Sequence, residues 1–205
     1  MPEFADEAEA GPAKRDLRVA VLAQRRSLRE EDRAAAARRI RTHLVDLLRR
    51  RRPRRVTAYV PVGSEPGGSD LPDVIVTALG AEGELLLPVL RPDLDLDWAR
   101  YRGPRSLTAA GRGMREPTGR RLGPEAIRTA DLVVVPALAV DRRGIRLGRG
   151  GGSYDRALAR VGAGTLTVAL LYDGEFVERV PAQAHDVPVR AVITPTAGVQ
   201  LLAPE

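Results

Sequence analysis

The sequence predicts an α/β fold of three layers, in which helices flank a mostly parallel, Rossmann-like sheet that also contains an antiparallel strand pair. Two observations support this prediction. Short apolar runs, which are typical of buried strands, alternate along the chain with segments whose apolar residues recur at helical spacing. In addition, residues 94–101 alternate apolar and acidic side chains at period two, which indicates a half-buried antiparallel strand.

The N-terminal part of the chain is predicted to be helical. Residues 1–12 are rich in alanine and acids and contain Gly11 and Pro12, so we expect a disordered extension there. Leucine and valine at helical spacing then predict a helix over residues 14–27, and a second, longer helix follows over residues 30–51. The buried stripe predicted for this second helix consists of Ile40, Leu44, Leu47 and Leu48.

The rest of the chain is predicted to alternate strands with helices. Its predicted strands span residues 55–61, 84–89, 94–101, 131–136, 165–171 and 190–194, and its predicted helices span residues 70–80 and 154–161. Residues 102–121 are predicted to be loop-rich because they contain several prolines and glycines. No internal repeat or domain boundary is visible, so residues 13–205 are predicted to form a single domain.

A parallel sheet of this kind predicts where a ligand binds. Ligands of open α/β sheets lie beyond the carboxyl ends of the strands. We therefore expect the loops that follow Pro61, Pro136 and Leu171 to face one common site.

The composition excludes several classes of site. The 205-residue chain has no cysteine and two histidines, His43 and His185, which excludes disulfides, a cysteine nucleophile and a three-histidine metal site. No apolar run is long enough to cross a membrane, and the N-terminus does not resemble a signal peptide. The expectation is therefore a cytoplasmic protein without a membrane partner, as a monomer or a dimer.

The positive charge of the chain is unevenly distributed. The formal net charge is +6, and the excess of basic side chains lies within residues 1–55. This distribution leaves nucleic acid open as a partner. However, the arginine run over residues 49–55 follows a predicted helix, where cations favour the helix dipole, so a nucleic-acid partner is the less favoured interpretation.

The segment from Arg146 to Asp155 carries the clearest chemical signal. It has four glycines within five positions, flanked by arginine and followed by a carboxylate. Glycine allows consecutive N–H groups to face a phosphate, arginine pairs with phosphate oxygens, and an acid can hold a divalent cation beside them. The spacing matches neither the dinucleotide fingerprint nor the P-loop. A flexible turn, with Ser153 as a helix N-cap, is the alternative.

One cation stands apart from the others. Lys14 is the single lysine among 33 basic residues, and it lies four positions before Arg18 on one face of the first predicted helix. A compact ammonium binds phosphate differently from a guanidinium. Lys14 is therefore a second candidate for phosphate binding.

The stretch from Val135 to Arg156 resembles the signature of the 5-formyltetrahydrofolate cyclo-ligase family, also called methenyltetrahydrofolate synthetases. Three further features match in the same order along the chain. They are the Lys14-x-x-x-Arg18 pair, Glu65 after the first strand, and the C-terminal run His185, Asp186 and Pro188. The resemblance extends from about Lys14 to Thr194.

The resemblance implies an ATP- and Mg²⁺-dependent ligase. Its substrate would be 5-formyltetrahydrofolate, and its product 5,10-methenyltetrahydrofolate, with release of ADP and phosphate. An N-formyl oxygen is a poor leaving group, so the γ-phosphoryl of ATP is transferred to it before N10 of the folate attacks. Such chemistry needs positioning and charge neutralisation more than it needs acid–base groups.

Site residues follow from the resemblance position by position. ATP contacts are implied for Lys14, Arg18, Arg146, Leu147, Gly148, Arg149, Gly150, Gly151, Gly152, Ser153 and Tyr154. Folate contacts are implied for Val60, Glu65, Arg149, Gly150, Gly151, Gly152 and Ser153. Arg149 and Tyr154 are the implied catalytic residues, and Asp155 and Asp186 the implied magnesium ligands.

Two positions depart from the family pattern. Ser153 stands where the first of two adjacent aromatic residues is common, and Arg190 stands where an acid is often found. A relative that keeps the fold and the nucleotide loop but acts on a different substrate is therefore the open alternative.

Overall fold

The computed structural model describes residues 3–183 and 186–202. Its α-helices are α1 Glu3–Ser27, α2 Glu30–Arg51, α3 Leu71–Leu79 and α4 Ser153–Leu158. The strands of the first half are β1 Arg55–Thr57, β2 Glu84–Leu90, β3 Leu96–Arg100, β4 Leu107–Ala109 and β5 Arg115–Pro117. Those of the second half are β6 Leu132–Pro136, β7 Ala139–Asp141, β8 Arg146–Leu147, β9 Leu166–Leu170, β10 Phe176–Val177, β11 Ala191–Thr194 and β12 Gly198–Leu201.

The main sheet has seven strands in the order β12-β11-β9-β6-β1-β2-β3. The five central strands pair in parallel, while β3 and β12 pair antiparallel at the two edges. This topology confirms the predicted α/β class, including the antiparallel pair of β2 and β3. The sequence prediction ended the sheet at residue 194 and was wrong there, because β12 adds a second antiparallel edge.

Alternate residues of the strands build two apolar cores on opposite faces of the sheet. On one face, Leu85 and Val134 pack with Ile40 of α2 and Ile75 of α3. The opposite core joins Leu86, Val133 and Val135 to Trp98, Ile127 and the Ala157–Leu158 end of α4. The buried residues of the inner strands therefore face both ways, as the three-layer prediction requires.

Helix α2 begins and ends where the sequence predicted, and the four residues of its predicted stripe are buried. Glu30, Glu31 and Asp32 occupy its first turn and arginines its last, which suits the helix dipole. Arg52 ends the helix in a left-handed conformation, and its N–H donates to the Leu48 carbonyl.

Helix α1 begins earlier than the predicted start at Lys14. Residues 3–12 continue the helix rather than standing apart from it, and Pro12 lies inside α1. The backbone thus does not change its secondary structure at residue 13. The division into an extension and one domain stays a prediction. None of the described helices is long and apolar enough to cross a bilayer.

A small second sheet, β10-β7-β8, supports the glycine-rich segment. Sequence reasoning missed all three of its strands and placed Arg146 and Leu147 in the loop, whereas they form β8. Asp141 closes the turn between β7 and β8, because its Oδ1 accepts the N–H groups of Arg143 and Ile145. The glycine loop itself therefore spans residues 148–152, between β8 and α4.

Candidate active site

A cavity of about 370 Å³ lies beyond the carboxyl ends of β1 and β6. The loop after β1 contributes Val60 and Glu65, the end of β6 contributes Pro136, and the glycine loop closes the other side. Two of the three loops predicted to face one site are therefore confirmed as neighbours. The loop after β9 does not line the cavity but contacts Arg25, which does.

The glycine loop needs glycine at two of its positions. Gly150 and Gly152 have φ of +97° and +69°, a region that other L-residues rarely adopt. Gly152 is the N-cap of α4, and Ser153 is the first residue of the helix. The alternative that Ser153 serves as the N-cap is therefore wrong.

Arg146 is the buried cation of the site. It is 6% exposed, its Nη2 lies 2.5 Å from Asp155 Oδ1, and its guanidinium stacks 5.9 Å from the centre of the Tyr154 ring. Burial lowers the pKa of Arg146, and the nearby carboxylate of Asp155 opposes that shift. Among the described residues its Nε has no hydrogen-bond partner. The side chain is thus held in place, and its Nε–H remains available as a hydrogen-bond donor.

Arg149 lies at the open side of the cavity, paired with Glu65. Arg149 Nε is 3.1 Å from Glu65 Oε1, and Glu65 Oε2 accepts the N–H of Val62. The pair brings a residue predicted to contact phosphate next to a residue predicted to contact folate, 84 positions apart in the sequence. The Arg149 side chain is 56% exposed, so a ligand can reach it.

The two side chains of α1 that are predicted to bind phosphate, Lys14 and Arg18, contact different parts of the protein. Arg18 Nε donates to the carbonyl of Gly148 over 2.8 Å and so touches the glycine loop. Lys14 Nζ lies 2.7 Å from Asp186 Oδ2, and both side chains are nearly buried. Neither Lys14 nor Asp186 lines the cavity. The structure joins these two predicted site residues to each other beside the main site.

The two predicted magnesium ligands are each paired with a cation, Asp155 with Arg146 and Asp186 with Lys14. Among the described residues, no group of three or more metal-ligating side chains converges. His185 of the C-terminal motif lies outside the described residues. Magnesium commonly takes one or two carboxylates and completes its shell with water and phosphate. Asp155 suits that role, since it lines the cavity and only its Oδ1 is engaged.

Sequence reasoning missed the apolar wall of the cavity. Pro88 and Leu90 of β2, Leu96 of β3 and Met114 beside the β4–β5 hairpin form this wall. The hairpin lies in the segment that was predicted to be loop-rich, and its pairing partners cannot be read from local composition. Arg25 was also missed, although it lies seven positions after Arg18, on the same face of α1.

Tyr154 brings a buried hydroxyl to the same wall. Its Oη has no hydrogen-bond partner among the described residues, and burial raises the pKa of its phenol well above the usual value. The hydroxyl is therefore protonated at any working pH. It is a donor without an acceptor, next to the glycine loop that precedes it.

The four tyrosines give a prediction for alkaline titration. Burial raises the pKa of Tyr59, Tyr101, Tyr154 and Tyr172 alike. We expect tyrosinate absorbance at about 295 nm to stay low above pH 10 and then to rise for all four residues in one step, with unfolding. Because only the unfolded chain releases these protons near pH 10, the free energy of unfolding should fall as the pH rises further. Gradual titration of all four residues in the folded protein would contradict the burial.

Comparisons with known proteins show which family the chain resembles. The model of the 5-formyltetrahydrofolate cyclo-ligase family matches residues 10–195. Over 195 residues the chain is 45% identical to the 5-formyltetrahydrofolate cyclo-ligase of Mycolicibacterium smegmatis, covering 93% of this chain and 97% of the relative. The Haemophilus influenzae 5-formyltetrahydrofolate cyclo-ligase is 26% identical over 86% of this chain and 94% of its own.

Solved structures show the same relationship. The NMR structure of Aquifex aeolicus 5,10-methenyltetrahydrofolate synthetase matches with a TM-score of 0.76 and 34% identity, over 92% of each chain. The synthetase from Mycoplasma pneumoniae shares the fold, with a TM-score of 0.69 and 17% identity over 87% of this chain and 96% of that one. The match over nearly the whole chain, together with the glycine loop and its flanking charges, shows that this chain belongs to the 5-formyltetrahydrofolate cyclo-ligase family.

Proposed function

We propose that this enzyme cyclises 5-formyltetrahydrofolate to 5,10-methenyltetrahydrofolate, using ATP and releasing ADP and phosphate. One observation carries the proposal: a glycine loop with its arginines and a set of apolar side chains line one and the same cavity. A polyanion suits the first surface and a flat, largely apolar ring system suits the second. The names of the relatives support this choice of substrate.

The triphosphate is assigned to the glycine loop. Backbone N–H groups at residues 148–152 and the nearby guanidiniums of Arg18 and Arg149 supply donors for phosphate oxygens. The buried Tyr154 hydroxyl and Arg146 Nε have no partners among the described residues and can donate to a ligand. This surface neutralises the charge that develops during transfer of the γ-phosphoryl group.

The folate is assigned to the apolar wall, together with Val60 and Glu65, which line the same cavity. The Glu65 carboxylate is suited to accept hydrogen bonds from an amino-substituted ring. Arg149 contacts Glu65, which supports assigning its guanidinium to the point where the γ-phosphoryl group would meet the formyl oxygen. Phosphorylation turns that oxygen into a good leaving group. N10 then attacks the formyl carbon, the C–O bond breaks, and the departing phosphate takes up the proton that N10 loses.

Magnesium is assigned to Asp155, with Asp186 as the second carboxylate. When bound, the cation supplies positive charge that neutralises the phosphates of ATP. Asp155 pairs with Arg146 and Asp186 pairs with Lys14, so both carboxylates are held in fixed orientations. Their roles as metal ligands are part of the proposal.

The direct test is to incubate purified protein with 5-formyltetrahydrofolate and MgATP and to follow the methenyl product by its absorbance. We expect product and ADP in equal amounts, and no product when ATP or Mg²⁺ is omitted. ATP binding without product would favour a relative with a different substrate. Binding of nucleic acid that weakens steeply with salt, with no ATP bound, would favour the nucleic-acid alternative.

A further inference from the structure

Arg25 is a buried arginine for which the reaction described above has no role. It is 1% exposed, although it stands on a helix whose neighbouring residues, Arg26 included, face solvent. Arginine is rarely buried unless it is paired. Arg25 is paired with a buried carboxylate, so its partners indicate what the side chain does.

The guanidinium of Arg25 joins three segments on the cavity side of the sheet. Its Nε and Nη2 donate to the two carboxylate oxygens of Glu175, over 2.7 and 2.8 Å. Its Nη2 also donates to the carbonyl of Ala137, directly after β6, and its plane stacks 5.6 Å from the centre of the Tyr172 ring. The Glu175 carboxylate in turn accepts the N–H of Tyr172.

These contacts fix the rotation of α1. Lys14, Arg18, Val21 and Arg25 follow one another at spacings of four, three and four residues, so they share one face of the helix. Arg25 anchors this face at one end. Val21 is buried in the middle among Leu138 and Leu147, and Arg18 and Lys14 reach Gly148 and Asp186 at the other end.

A buried ion pair is a weak source of stability, because the desolvation of both charges offsets much of their attraction. One bidentate ion pair, a hydrogen bond to a backbone carbonyl and a contact with an aromatic ring do, however, constrain the orientation of the helix. A small rotation at Arg25 would move the guanidinium of Arg18 away from Gly148 and the ammonium of Lys14 away from Asp186. The contacts of Arg25 thus determine the orientation of α1 and its side chains, in addition to any contribution to the free energy of folding.

We propose that Arg25, held by Glu175, is a positioning residue that aligns Lys14 and Arg18 with the phosphates of the nucleotide. The inference rests on the proposed function, since it assumes that a triphosphate binds at the glycine loop. It predicts that Arg25 acts on nucleotide affinity only through these two side chains.

A thermodynamic cycle tests this dependence. The affinity of a non-hydrolysable MgATP analogue is measured by calorimetry for the wild type, for Arg25→Lys, for the Lys14→Ala/Arg18→Ala background, and for that background with Arg25→Lys. We expect Arg25→Lys to weaken binding about tenfold in the wild type and less than about twofold in the background, because interacting residues are non-additive. The exposed neighbour gives the control, and Arg26→Lys should leave the affinity unchanged.

Each alternative result has a defined meaning. Equal loss of affinity in both backgrounds would show that Arg25 acts without Lys14 and Arg18, either structurally or by contacting the ligand in the cavity that it lines. That result would overturn the inference, as would no loss in either background. If Arg25→Lys does not fold, as judged by circular dichroism, Glu175→Gln replaces it with the same expectations. If the doubly substituted background binds too weakly to measure, Arg18→Ala alone serves as the background. A wild type that does not bind the analogue would overturn the proposed function together with this inference.

Discussion

Replacing Arg149 by alanine is expected to slow formation of the methenyl product about 10³-fold, the usual effect of removing a guanidinium from a transferring phosphoryl group. The side chain is more than half exposed and has one described ion-pair partner, Glu65, so its loss should barely change the free energy of unfolding. The change should therefore separate catalysis from stability. Steady-state rates and thermal unfolding of the same preparation measure both quantities.

Arg142→Ala is the matched control for this prediction. Arg142 is an exposed arginine of the β7–β8 turn and does not line the cavity. Its replacement removes the same single positive charge from the protein. Both the rate of product formation and the free energy of unfolding should therefore stay at wild-type values. Full turnover by Arg149→Ala would contradict its assignment to the reacting phosphoryl group. An equal loss in both variants would point instead to a general effect of net charge.

Gly144→Ala is expected to lower the free energy of unfolding by about 3 kcal/mol, the sum of backbone strain and overpacking. Gly144 lies in the β7–β8 turn with φ of +82°, and a Cβ there would overlap the carbonyl oxygen of Val189. The two residues are held together by a hydrogen bond that the Val189 N–H donates to the Gly144 carbonyl. Relief of the clash would therefore break the connection between the turn and the segment that carries Asp186.

Gly63→Ala separates the two causes. Gly63 also has a positive φ, of +60°, but nothing lies within 4 Å of the place where its Cβ would stand. Urea unfolding should show a loss of about 1 kcal/mol for Gly63→Ala, from backbone strain alone. Equal losses in the two variants would mean that the Val189 segment moves aside at little cost.

The sequence predicted the elements that are specified locally. Helix α2 was placed correctly because its acids, its apolar stripe and its terminal arginines all agree on one helix. Strand β3 was recognised by its alternating pattern, and it pairs with β2 as expected. The central strands β6 and β9 were visible as mainly apolar runs, broken in β9 by Thr167, which is typical of strands that are buried on both faces of a sheet.

The sequence did not predict the elements that depend on distant partners. Strands β8 and β10 have two residues each, and they form because β7 lies between them. Helix α4 has six residues rather than the predicted eight, because local spacing does not fix where a helix ends. Strand β1 is shorter than predicted as well, since the chain leaves the sheet after Thr57.

For the candidate site, sequence reasoning found individual residues but not their partners. Glu65, Arg149 and the glycine loop were all predicted, and the structure brings them to one cavity. The pairing of Lys14 with Asp186 was not predicted, because it joins two ends of the chain. The apolar wall was missed for the same reason.

The three pairings of acids with cations around the site have a consequence for selectivity. Lys14, Arg146 and Arg149 each already have a carboxylate as an internal counter-ion. A small monovalent anion would gain only one ion pair by displacing one of these carboxylates, so it has no advantage over the protein's own acidic side chains. A ligand that engages several cations at once, and returns a divalent metal to the released acids, does have that advantage. The three pairs therefore favour a multiply charged ligand, such as the proposed triphosphate, over a monovalent anion.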